Sequence, residues 1–222
     1  MIYRNETMFR SKDIQDIYPL SPMQEGLFFH SLVDKTSNDY FVQISYRIRG
    51  DLDIMCVQKS LQVLVRRHDI LRTVFNYKKK SQQILQVVLK DRDIDFSFVD
   101  LGNAEYEDRV RLVDLHRHQE RMRAFDLTKD VLMRVSVLRT GLYNYEFIWS
   151  YHHILMDGWC LGILTDEYSE IYNSFLQNRS PSLSSVRPYK NFIQWLSAQD
   201  SAAAALYWQH YLNGYNHSCG LP

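Results

Sequence analysis

Residues 40–49 alternate, with Tyr40, Val42, Ile44, Tyr46 and Ile48 on one face. This period-two pattern predicts a half-buried strand, closed by Gly50. The period then changes: Val57, Leu61, Leu64 and His68 form one helical stripe that ends before Leu71. Two strand-like runs follow, Ile84–Leu89 and Ile94–Val99, and the basic tip Lys78-Lys79-Lys80 ahead of them reads as a solvated turn. Residues 104–123 are dense in charge and predict an exposed helix. Val131–Leu138 and Tyr143–Tyr151 read as two strands turning at Gly141. In the strongest helical pattern of the chain, Leu161, Leu164, Tyr168, Ile171 and Phe175 recur at steps of three and four. Asn178–Pro188, rich in serine and bearing two prolines, is the one convincing loop or linker. Amphipathic pieces at Tyr189–Leu196 and Ala202–Leu212 follow it. Strands and helices are interspersed, so the fold class is α/β (α+β).

Composition sharpens this picture mainly by exclusion. The 222 residues are 45% hydrophobic, ample for a packed core in one large domain. Twenty-six basic residues balance 26 acidic ones, so charge gives no reason to expect nucleic acid or an anionic membrane as partner. With 8 Gly and 5 Pro, collagen-like and low-complexity readings fall away. Cys56, Cys160 and Cys219 are isolated and odd in number, which excludes a cysteine zinc cage and fits a reducing cytoplasm better than a disulfide framework. Met1–Lys12 lacks the apolar core of a secretory signal, and no stretch nears the roughly 20 apolar residues of a membrane span. The expected location is the cytoplasm.

The chemistry concentrates in Tyr151-His152-His153-Ile154-Leu155-Met156-Asp157-Gly158-Trp159, where an aromatic strand ends and a helix is about to begin. Along the strand, Tyr145, Phe147, Trp149 and Tyr151 share one face, and Ile148, Ser150 and His152 the other. Continued extension would turn His152 and His153 in opposite directions, one into the core and one toward a cavity. Asp157 and Gly158 then precede the helix, whose first N–H groups are free and approachable across a glycine. An imidazole beside such donors is the minimal equipment for acyl transfer. A core-and-surface histidine pair followed by an ordinary Asp-Gly turn explains the same residues, and both readings stay open here. No metal is expected: the opposed imidazoles have no third ligand at sensible spacing, and His116 and His118 lie on different helix faces. No GxSxG elbow marks a serine nucleophile, and neither phosphate-loop pattern, GxGxxG nor GxxxxGK[ST], occurs. A histidine without its own nucleophile implies that both reacting groups arrive on substrates.

The segment HHILMDGWCLGIL resembles the HHxxxDG motif of condensation domains from nonribosomal peptide synthetases. Two further segments agree in order and spacing: Tyr18-Pro19-Leu20-Ser21-Pro22-Met23-Gln24-Glu25-Gly26 is similar to the family's opening motif, and Arg67-His68-Asp69-Ile70-Leu71-Arg72-Thr73-Val74-Phe75 to its second. Tyr189–Trp195 looks like a variant of the fourth, with Asn191 where Asp is more usual. The resemblance runs from Ile17 onward. It implies a chloramphenicol acetyltransferase-like lobe, a mixed β-sheet packed with helices, and a reaction in which a downstream aminoacyl amine attacks an upstream aminoacyl or peptidyl thioester. Both substrates ride on 4'-phosphopantetheine arms of peptidyl carrier proteins, with no cofactor bound directly.

On the family pattern His153 is the active-site histidine, as base or as holder of the amine, and Gly158 lends its N–H to the tetrahedral intermediate. His152 is structural. Asp157 holds the loop through an ion pair with Arg72 or Arg67. The runs Met23–His30 and Asp157–Cys160 resemble condensation domains taking a D-configured donor and an L-configured acceptor; an epimerization domain is the second reading. The expected organisation is a leader over residues 1–16, either an ordinary leader or a docking segment for the C-terminal segment of an upstream subunit. Residues 17–222 would form the N-terminal lobe, with the C-terminal lobe absent and the isolated lobe inactive. Expected partners are donor and acceptor carrier proteins, the C-terminal lobe and adjacent synthetase domains. A non-catalytic docking or scaffold module and a free-standing acyltransferase using a coenzyme A thioester are the competing functions.

Overall fold

The computed structural model describes residues 9–33, 38–78 and 83–216. After a 3₁₀ turn at Ser11–Asp13, the chain forms β1 (Ile14–Pro19), α1 (Pro22–Val33), β2 (Phe41–Arg49), α2 (Ile54–Arg67), β3 (Thr73–Lys78), β4 (Gln83–Leu89) and β5 (Asp95–Asp100). There follow α3 (Tyr106–Met122), β6 (Met133–Gly141), β7 (Asn144–His152), α4 (Gly158–Leu176), α5 (Tyr189–Ser197) and α6 (Ser201–Tyr211). Two sheets result. One is antiparallel in the order β1-β4-β3; the other runs β2-β7-β6-β5, with only β5 and β6 parallel.

β7 is central in the larger sheet, and Tyr145 to His152 are all buried. Its two faces go to different partners, as the alternation requires. Tyr145, Phe147, Trp149 and Tyr151 enter the main core with Val57, Leu61 and Leu64 of α2 and Leu164 and Ile171 of α4. Ile148 faces the other way, toward Val113 of α3 and Leu138. α2 exists because its apolar positions recur every three or four residues, and because Asp53 accepts the Cys56 N–H at 2.9 Å as N-cap. It stops where His68 takes an extended conformation.

Three elements escape the hydrophobic pattern. β1 is short and ends in a proline, and β3 follows α2 after only a 3₁₀ turn at Asp69–Arg72. α1 buries Phe28 while Met23, Phe29, Leu32 and Val33 stay exposed, so it shows no single apolar stripe. The expected leader over residues 1–16 is partly built into the fold: Ile14 to Asp16 are the first residues of β1 and pair with β4. Residues 1–8 of that leader, and Lys79 and Lys80 of the basic tip, lie outside the described residues. The Ser-rich stretch after Asn178 has no regular structure, yet it is pinned. Glu170 accepts from the Arg179 guanidinium and the Ser182 N–H, and the Ser184 carbonyl accepts from Arg67. No helix among the described residues is long and apolar enough to cross a membrane.

Candidate functional site

The site is the turn between β7 and α4. The Tyr151 and His152 backbones still belong to the strand, His152 lying opposite Phe41 of β2, and the pleat ends there. His153 opens the turn, so its outward direction comes from the end of the strand rather than from continued extension. The outcome is the expected separation: His152 is 6% exposed and His153 is exposed.

The two imidazoles have different chemistry. The Ile154 N–H donates to Nδ1 of His152 at 3.1 Å, which leaves the proton of a neutral ring on Nε2. Burial, helped by neighbouring His153, lowers the His152 pKa from 6.5 to about 4, so this ring is neutral at pH 7. His153 donates its backbone N–H to the Tyr40 carbonyl at 2.8 Å. Its imidazole has no hydrogen-bond partner among the described residues.

Asp157 is the N-cap of α4. Its Oδ1 accepts the Cys160 N–H at 3.0 Å, and that backbone N–H holds its carboxyl below the usual carboxylate range. The expected ion pair of Asp157 with Arg72 or Arg67 does not form, because both guanidiniums are committed elsewhere. Arg67 makes a two-pronged contact with Glu167 of α4 at 3.0 and 3.2 Å, and His68 Nε2 meets the same carboxylate at 2.6 Å. Arg67 therefore supports the helix carrying Asp157 and Gly158, but through Glu167. Arg72, 5% exposed, pairs with Asp69 at 2.6 Å and donates to the Val65, Leu89, Lys90 and Arg66 carbonyls and to Gln15. It staples the smaller sheet to the end of α2, away from the turn.

Gly158 is the first residue of α4, and its N–H has no acceptor among the described residues, as helix geometry dictates. A Cβ built there would meet nothing within 4 Å, so the chain itself does not require glycine at this position. Burial pushes the Cys160 thiol up. No cluster of three or more His, Cys, Asp or Glu able to hold a metal occurs among the described residues.

Sequence reasoning missed the residues that fix the turn from outside. Gln24 of α1, 4% exposed, donates from Nε2 to the Ile154 carbonyl at 3.2 Å and exchanges hydrogen bonds with Gln86 of β4. Tyr40 adopts φ 64°, an unusual conformation for a bulky residue, as its carbonyl meets His153. The pattern Ser21-x-x-Gln24 ahead of an apolar run is a helix-start signal that could have drawn attention to Gln24.

The turn therefore presents an exposed imidazole at His153 and, at the start of α4, a Gly158 N–H with no acceptor among the described residues. The chain belongs to the condensation-domain family, whose profile matches residues 14–222. It is 44% identical over 214 residues to gramicidin S synthase 2 of Brevibacillus brevis, an alignment covering 96% of this chain and 5% of that protein. To tyrocidine synthase 2 of Brevibacillus parabrevis it is 43% identical, covering 97% of this chain and 6% of the other. For surfactin synthase subunit 3 of Bacillus subtilis (strain 168) the figures are 37%, 94% and 16%. The fold matches a mutant of the starter condensation domain of rhizomide synthetase with a TM-score of 0.83 at 16% identity, covering 93% of this chain and 50% of that one. The first condensation domain of the calcium-dependent antibiotic synthetase, in complex with a substrate analogue, gives 0.77 at 14% identity, covering 91% and 49%. The fold is therefore that of condensation domains, chloramphenicol acetyltransferase-like in type.

Proposed function

We propose that this chain supplies the His153-bearing N-terminal lobe of a condensation domain that forms peptide bonds in a nonribosomal peptide synthetase of the cytoplasm. The carrying observation is the exposed His153 imidazole, without a hydrogen-bond partner among the described residues, in the turn that leads into the Gly158 N–H opening α4. In the reaction, the amine of a downstream aminoacyl thioester attacks the carbonyl of an upstream peptidyl or aminoacyl thioester. The C–N bond forms, the C–S bond breaks, and the donor carrier's pantetheine thiol is released. His153 hydrogen-bonds the attacking amine through its ring nitrogen, receives its proton and returns a proton to the departing pantetheine sulfur. The Gly158 N–H, at the positive end of α4, faces the developing oxyanion. His152 stays neutral and structural, its Nδ1 holding the turn; Asp157 keeps the helix start in place. The partners are donor and acceptor carrier proteins presenting 4'-phosphopantetheine thioesters, together with a second lobe and adjacent synthetase domains.

The test is dipeptide formation on loaded carrier proteins by the synthetase carrying this chain. His153→Ala is expected to abolish product, and near-normal turnover would refute the reading. Run with D- and L-configured donors, the same assay tests our assignment of a D-donor, L-acceptor preference, which rests on the residues following Met23 and Asp157. Faster turnover of the L-donor would overturn it.

A further inference from the structure

We infer that Gln24 is the positioning residue of His153, acting through the backbone of the turn; the inference rests on the role proposed for His153. Ser21 and Gln24 form a reciprocal cap. The Gln24 N–H donates to Ser21 Oγ at 3.3 Å, and the Ser21 N–H donates to Gln24 Oε1 at 3.1 Å. The carboxamide then has no freedom left. Oε1 also accepts from Gln86 Nε2 at 3.0 Å, while Nε2 donates to Gln86 Oε1 and to the Ile154 carbonyl, both at 3.2 Å. Gln86, fully buried, spends its other proton on the Pro19 carbonyl at 3.0 Å. Every donor and acceptor site of Gln24 is thereby filled.

Two buried carboxamides are costly to desolvate, and apolar side chains of the same length would fill the space without that cost. What apolar residues would not do is hold a carbonyl. The carbonyl held is that of Ile154, the residue after His153, and its N–H is held in turn by His152. With the Tyr40 carbonyl on the His153 N–H, three contacts fix the backbone on both sides of one exposed imidazole. Gln24 is the one of the three that reaches the turn from the smaller sheet's side of the molecule, so it sets where His153 stands relative to the rest of the lobe.

The test compares Gln24→Met with Gln86→Met in the synthetase carrying this chain. Both break the buried amide pair, but only the first removes the donor to Ile154. Turnover of loaded carrier proteins is measured per folded molecule, alongside the histidine ring resonances of this chain by NMR. We expect Gln24→Met to lower kcat about tenfold to a hundredfold with little change in KM. It should also move the His153 ring signals, whereas Gln86→Met shows a much smaller effect on both. Gln24→Glu keeps acceptor oxygens toward Ser21 and Gln86 Nε2 but loses both Nε2 donors, so it gives a second reading where Gln24→Met does not fold, with Gln86→Met as the control for the lost amide pair. Equal effects of the Gln24 and Gln86 variants, or unmoved His153 signals in a folded Gln24 variant, would overturn the inference. If His153→Ala keeps its activity, the proposed role fails, yet the ring signals still judge the contact by themselves.

Discussion

His152 is buried, neutral and engaged through Nδ1, and this makes the stability of the fold depend on pH. Its folded pKa of about 4 lies below the 6.5 of an unfolded histidine, so the unfolded chain binds more protons between those values. Its stabilising contribution is complete above the unfolded value and is lost as pH falls through that window. The size is roughly 3 kcal/mol, from the interval between the two values. Urea unfolding at about pH 7.5 and pH 4.5 should show this loss, and His152→Phe should remove that part of the pH dependence. Asp157 allows a second test at this scale. As an N-cap it should tolerate Asn, while Asp157→Ala should cost about 1 kcal/mol. Were its role an ion pair with an arginine, Asn would be as damaging as Ala. Thermal melts of the two variants decide between these.

At the scale of elements, α2 and α4 are joined by more than apolar contact. Glu167 sits under Arg67 and His68, with its side chain and that of Arg67 16% and 19% exposed. Burial raises the Glu167 carboxyl, but hydrogen bonds from Arg67 and His68 outweigh that and hold it below the usual range. Glu167→Leu would leave a half-buried guanidinium unpaired, and we expect a loss of about 3 kcal/mol in urea unfolding. The contrast is α6. It is capped by Asp200 through the Ala203 N–H, yet none of its residues is buried, and Leu206, Tyr207, Trp208 and Tyr211 all face outward. Its helical form is local, and it contributes nothing to the core. Ending the chain after Gln199 should therefore leave the unfolding free energy unchanged within about 0.5 kcal/mol, the scale of an ordinary surface change. A large loss would show that α6 packs where this structure leaves it open.

For the whole molecule, the main core draws on both sheets, through Phe75 of β3 and the inward face of β7, and the turn at the end of β7 is tied toward the smaller sheet through Gln24 of α1. Gln86 belongs to the smaller sheet and His152 to the larger, and Gln24 of α1 bridges them at the Ile154 carbonyl. Condensation domains of known structure share this fold at identities below 20%, so the shape tolerates wide change in sequence. The chain spans about half the length of those solved chains. Its reading as one lobe, with partners that are other protein domains, belongs to that scale and is tested in the synthetase rather than on a residue.

The hydrophobic pattern determined β2, α2, β4 to β7 and α4, because each has to bury one face or both, and burial imposes a period of two or near four on a short stretch of chain. It also determined the split between His152 and His153, which needs only the end of a strand. β1, α1 and β3 were hidden because their burial comes from distant neighbours and leaves no regular stripe. The destinations of the polar groups were decided by the tertiary structure alone. Gln24 finds Gln86 across 62 residues and Ile154 across 130, and Arg67 finds Glu167 across 100. Asp157, by contrast, found its partner three residues away, in its own helix. A local pattern names which residues can donate or accept. Only the packed chain fixes which of them come within the roughly 3 Å of a hydrogen bond.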